Sequence, residues 1–147
     1  MRIHLEVLLV EDSEDDIELM RFAFSRFDKL TNGNVSIALR LAYDGEEALQ
    51  KLNEMKASKV LPDLIFCDIN MPKMNGLELI KAIKKSDSPY RLIPFVFLTT
   101  SKQETDILKA YENWASGYLC KPVEYKEFIQ LIINTLNYWL SVESIPN

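Results

Sequence analysis

The 147-residue sequence contains a single histidine, His4. That scarcity excludes a histidine-cluster metal site and any Ser-His or Cys-His catalytic pair built around a central histidine. His4 itself is expected on the surface, near the start of the first strand. The two cysteines, Cys67 and Cys120, are too few for a disulfide framework or a zinc site. They are expected to be buried, reduced thiols used as small hydrophobes. No apolar run approaches the roughly 20 residues needed to span a bilayer. The opening "MRIHLEVLLVEDSED" is broken by acid too soon for a signal peptide. The expectation is therefore a cytoplasmic protein with no membrane association. There is no basic stripe, and the net charge is −5, so no nucleic-acid partner is expected. Repeats, low-complexity tracts and linkers are also missing. The length suits one domain, 1–147.

What is present alternates. "LEVLLV" (5–10) is a buried strand. A helix should begin at Ser13 as N-cap, with Asp15 and Asp16 in its first turn, where the helix dipole favours acid. Ile17, Met20, Phe24 and Phe27 lie on one face of it. "TNGN" (31–34) is a turn, "VSIALRLA" (35–42) a second strand, and "DGEEALQKLNEM" (44–55) a turn and helix. "LIFCD" (64–68) is the third strand, "NGLELIKAIKK" (75–85) a helix, and "PFVFLTT" (94–100) the fourth strand. Residues 103–115 read as a helix with Ile107, Tyr111 and Trp114 on one side. "GYLCKP" (117–122) is the fifth strand and 124–140 the last helix. Strands alternate with helices and no hairpin turn joins two strands, which predicts an α/β fold with a parallel sheet covered on both faces.

Such sheets bind ligands beyond the carboxyl ends of their strands. Strand one ends in Glu11 and Asp12, strand three in Asp68, strand four in Thr99 and Thr100, and strand five in Lys121. Clustered carboxylates repel each other unless a cation offsets them. With oxygen donors and no His or Cys, magnesium suits the set. Asp68, held rigidly at a strand end, can act as a nucleophile toward phosphorus and form an aspartyl phosphate. The metal, Lys121 and a hydroxyl can each neutralise or bond one phosphoryl oxygen.

"LLVEDSEDD", "CDINMPKMNGLELI", "FLTTS" and "GYLCKP", in this order, resemble the receiver domain of two-component response regulators. The resemblance implies a flavodoxin-like, doubly wound five-stranded sheet of order 2-1-3-4-5 with five helices, in a single domain with no separate output domain. It implies that Asp68 is the phosphoacceptor, taking a phosphoryl group from a histidine kinase's phosphohistidine. It implies that the protein is no enzyme beyond its own phosphorylation and dephosphorylation. By the same resemblance Asp12, Asp68 and the Asn70 carbonyl hold Mg2+, with Glu11 acting through a bound water. Thr99, 22 residues before Lys121 (121 − 99 = 22), matches the switch hydroxyl better than Thr100. Lys121 matches the phosphate-binding lysine, with a cis bond to Pro122 expected, and Tyr118 matches the aromatic switch residue. Two features depart from the family pattern. Glu11 stands where aspartate is more usual, and the Asp12–Asp68 separation is long. The surplus is placed in loops at "KLTNGN" and "MKASKVL".

The long first half, "LTTS" and the tail "YWLSVESIP" are similar to the small stand-alone receivers that serve phytochromes. This implies a phytochrome-type sensor kinase as partner, with output through surface contacts. Three other readings compete with this one. An aspartyl-intermediate phosphatase would want an acid two residues after Asp68, where Asn70 stands. A flavin or nucleotide module would need a Ser/Thr/Gly-rich loop in place of "VEDSEDD". A degenerate receiver, acting only as an interaction module, is the third. On the last helix, Phe128, Ile132, Leu136 and Trp139 form one sheet-facing stripe. Ile129, Ile133 and Leu140 extend round a neighbouring face, and Tyr111 and Trp114 add to it. These predict a homodimer through residues 103–147, against the alternative of a thick core closed by the tail "VESIP".

Overall fold

Along the first strand, Val7 and Leu9 enter one apolar cluster while Leu8 and Val10 enter another. A strand apolar on both faces must be covered on both, and this dictates the three-layer architecture. The computed structural model describes residues 2–143. The elements are β1 (Ile3–Val10), α1 (Glu14–Leu30), β2 (Val35–Ala42), α2 (Gly45–Ala57), β3 (Leu64–Cys67), α3 (Gly76–Ile83), β4 (Phe95–Thr99), α4 (Glu104–Glu112), β5 (Gly117–Cys120) and α5 (Tyr125–Ser141). All neighbouring strands are parallel, in the order β2-β1-β3-β4-β5. This is the expected flavodoxin-like topology.

One face packs on α1 and α5 through Ile17, Met20, Phe24, Phe27, Phe66, Phe128, Ile132 and Leu136. The other packs on α2, α3 and α4 through Leu52, Ile65, Leu79, Ile80, Phe95, Phe97 and Ala110. Each large side chain so buried contributes about 1.5–3 kcal/mol. No helix among the described residues is long and apolar enough to cross a membrane.

The helix starts are written in the sequence. Ser13 caps α1 by accepting from Asp16 N, and Asp44 caps α2 by accepting from Glu47 N. Asn75 and Glu78 form a capping box at α3. Other expectations are corrected. β1 begins at Ile3, two residues early, because β2 offers partners along its whole length. The helix expected over 103–115 is the shorter Glu104–Glu112. Trp114 adopts φ 69, a left-handed conformation that ends it, and the Asn113 side chain bonds the Lys109 carbonyl at 2.8 Å. The surplus between Asp12 and Asp68 is not all loop: Lys29 and Leu30 belong to α1, and Met55, Lys56 and Ala57 to α2.

Ile129 and Ile133 are not offered outward. They are buried in the cluster formed with α1, because α5 packs on that helix as well as on the sheet. Leu140 is partly buried against the same cluster. Of the tail "VESIP", residues 144–147 lie outside the described residues.

Candidate functional site

β3 stops at Cys67, so Asp68 is the first residue past the sheet, its backbone N donating to the Val10 carbonyl at 3.0 Å. Its Oδ1 accepts from Ile69 N at 2.7 Å, which fixes the carboxylate and turns Oδ2 towards Lys121 at 3.2 Å. The loop that follows is clamped at both ends. A Cβ on Gly76 would collide with the Asp68 carbonyl oxygen, so only glycine lets α3 start this close to the carboxylate. Gly45 N donates to the Met74 carbonyl at 2.9 Å, and a Cβ there would overlap the Met74 side chain. Asn70 lies in this loop, two residues past Asp68.

Glu11 follows β1 directly and is 2 % exposed. Its Oε2 accepts from the amides of Asp12 and Ser13 at 3.1 and 3.2 Å. Carboxylate oxygens of Glu11, Asp12 and Asp68 lie within 4.8 Å of one another. Lys121 enters from the end of β5 with its side chain 6 % exposed. Its ammonium donates to Glu11 Oε1 at 2.6 Å, Asp16 Oδ2 at 2.7 Å and Asp68 Oδ2 at 3.2 Å. Thr99 closes β4, fully buried, and its Oγ1 accepts from Ser101 N at 3.3 Å. The register pairs Thr99 with Cys120 and Cys67 with Phe97, which sets Thr99 one residue beyond the level of Asp68. Thr100 is exposed. Tyr118 is half-buried beside Phe97, its hydroxyl donating to the Ser101 carbonyl at 2.9 Å.

The site gathers Glu11, Asp12, Asp68 and Lys121 as the sequence led us to expect. It adds Asp16, whose place in the first turn of α1 already satisfies the helix dipole and whose carboxylate also reaches Lys121. One expectation is overturned. No peptide bond among the described residues is cis, so Lys121–Pro122 is trans. Trans is the lower-energy isomer of X–Pro by about 0.5–1 kcal/mol. Lys121 makes all three of its side-chain bonds from the trans backbone, so the site imposes no demand that would reverse that preference. Cys67 is fully buried, and burial pushes its thiol well above the ordinary range, in keeping with a small hydrophobe. Cys120 is half-buried rather than buried, since β5 lies at the sheet edge. His4 is a surface residue bonded to Ser36 and Glu6.

One ammonium cannot balance four neighbouring carboxylates. Burial, resisted by Lys121, pushes the Glu11 carboxyl up from 4.5 to about 7. Burial also depresses Lys121, but its bonds to Asp16 and Glu11 outweigh this and hold it well above the usual lysine range. The oxygen-only cluster of Glu11, Asp12 and Asp68 therefore fits a hard divalent cation. A pH effect follows. Between pH 4.5 and 7 the folded state binds the Glu11 proton more tightly than the unfolded chain. This contribution to stability is fully present below pH 4.5 and is lost as pH rises through 7. Without metal, denaturation midpoints should fall across that window, and Glu11→Gln should flatten the fall. An equal fall in Glu11→Gln would refute the assignment.

A parallel sheet with an acidic cluster and a buried lysine at its carboxyl edge is the arrangement expected of a receiver. Residues 7–133 match the family model described as the response regulator receiver domain, and the chain belongs to that family. It is 33% identical to the response regulator Rcp1 of Synechocystis sp. over 143 residues, 95% of this chain and 92% of Rcp1. It superposes on the phosphorylated cyanobacterial phytochrome response regulator RcpA with TM-score 0.86 and 33% identity, covering 98% and 99% of the two chains. For the Mn(2+)-bound form of Rcp1 the TM-score is 0.79 and the identity 29%, over 97% and 99%.

Proposed function

We propose that this chain is a single-domain response regulator that takes a phosphoryl group onto Asp68 in a magnesium-dependent reaction. The observation carrying this is the Glu11–Asp12–Asp68 cluster with the Lys121 ammonium set against it. An Asp68 carboxylate oxygen attacks the phosphorus of a kinase phosphohistidine. The P–O bond forms as the P–N bond breaks, and the electron pair leaves on the imidazole nitrogen, which is protonated from solvent. Lys121 donates to one phosphoryl oxygen and the Thr99 hydroxyl to another. Asp12, Asp68 and the Asn70 carbonyl would hold magnesium, with Glu11 acting through water; the ion supplies charge neutralisation. Turning Thr99 inward lets Tyr118 repack, so that ring carries the signal away from the site. The protein acts catalytically on itself alone. Asp12→Asn is expected to weaken magnesium binding about tenfold or more, and more than Glu11→Gln does. Phosphorylation by acetyl phosphate that proceeds unchanged in excess chelator would contradict the proposal.

The partner we infer is a sensor histidine kinase in the cytoplasm. The named phytochrome relatives support a phytochrome-type kinase. We also propose a homodimer through residues 103–147. The described part of that segment exposes Leu108, Tyr111, Trp114 and Tyr138 in place of the buried Ile129 and Ile133. A second copy would cover this apolar set. Sedimentation at micromolar concentration should show a dimer for the wild type and a folded monomer for Trp114→Glu. A monomeric wild type, phosphorylated or not, ends the idea.

A further inference from the structure

Lys121 has three N–H donors, and all three are engaged. Two of the acceptors have other work in the proposed reaction: Asp68 is the nucleophile, and Glu11 also binds two backbone amides and belongs to the metal cluster. Asp16 is outside that cluster, and its carboxylate makes its one side-chain hydrogen bond among the described residues to Lys121. It sits in the first turn of α1, where the helix dipole favours its charge.

A phosphoryl oxygen arriving at Asp68 needs a donor, and Lys121 can supply one only by leaving an acceptor. Glu11, 2 % exposed, cannot be rehydrated once abandoned. Asp16 has a side chain 24 % exposed, so water can replace the lost bond. Resting on the phosphoacceptor function above, we infer that Asp16 is a positioning residue. It holds the third N–H of Lys121 in the unphosphorylated protein and surrenders it to the phosphoryl group. Asp16 thereby competes with the phosphoryl group for the same donor, and the exchange unties the first turn of α1 from the end of β5.

The test uses the full chain with beryllofluoride as a phosphoryl mimic in the presence of magnesium. Asp16→Ala should bind it about tenfold more tightly than wild type, the conservative end for a hydrogen bond to a charged group. Asp16→Asn should fall between, because its amide oxygen still accepts. Asp15→Ala removes the same charge from the same turn at an exposed residue and should shift the affinity less than about twofold. A second readout needs neither metal nor mimic. In metal-free protein the Lys121 Nζ protons should exchange with water faster in Asp16→Ala than in wild type, and remain at the wild-type rate in Asp15→Ala. Unchanged or weaker binding in folded Asp16→Ala, an equal gain in Asp15→Ala, or unaltered Nζ exchange would each overturn the inference. Failure of wild type to accept phosphate at Asp68 would instead count against the phosphoacceptor function, and the Nζ exchange would still report on the Asp16–Lys121 bond.

Discussion

Asp68→Asn is expected to fold at least as stably as the wild type and to carry no phosphoryl group after incubation with acetyl phosphate and magnesium. The amide keeps the shape of the carboxylate and an oxygen to accept from Ile69 N, now 2.7 Å from Oδ1. It removes one of the charges that push Glu11 up, so the site relaxes rather than strains. It cannot form an acyl phosphate, because a neutral amide lacks the anionic carboxylate oxygen that attacks phosphorus. The same variant separates chemistry from signal. Wild type should show NMR shift changes over 99–121 on adding acetyl phosphate, centred on Thr99 and Tyr118, and Asp68→Asn should show none. Full labelling of the variant, or identical shift changes in both proteins, would place the acceptor elsewhere.

Lys121→Ala should be the most destabilising substitution in the site. It strips the counter-charge from a nearly buried Glu11 and leaves Asp16 and Asp68 without their shared donor. Removing one partner of a buried ion pair costs about 3–5 kcal/mol. The cost should be pH-dependent in a defined direction. Glu11 already titrates near 7 with its lysine present, and without it the proton is held more tightly still. Below pH 6 the orphaned carboxyl is neutral and the loss is smaller; at pH 8, where ionisation sets in, it is larger. Urea unfolding at both values measures this, and a loss independent of pH would remove Glu11 from the explanation. Phosphorylation by acetyl phosphate should slow roughly 10²-fold, the usual penalty for losing one donor to developing charge.

The parts of this architecture legible in sequence were those written locally. The cap at Ser13 is formed by a side chain three residues from the amide it satisfies, and those at Asp44 and Asn75, which the structure adds, are equally local. The apolar runs ending in Glu11, Asp68, Thr99 and Lys121 belong to parallel strands, which places these residues on one rim. What escaped depends on partners distant in sequence. Ile129 and Ile133 looked surplus to one sheet contact, but α1 packs across α5 and buries them. Trp114 looked like a continuation of the α4 stripe, yet its left-handed backbone ends the helix and leaves the ring 76 % exposed. Asp16 had a sufficient local explanation at the start of α1, and that masked its bond to a lysine 105 residues away.

The central claim is an acyl phosphate on one named carboxylate, and direct mapping tests it most sharply. Wild-type protein is incubated with acetyl phosphate and magnesium, reduced with borohydride, which converts an aspartyl phosphate to homoserine, and digested for mass spectrometry. Homoserine at position 68, absent when chelator replaces magnesium, is the predicted result. Homoserine at another acidic residue, or none despite intact folding, would contradict it.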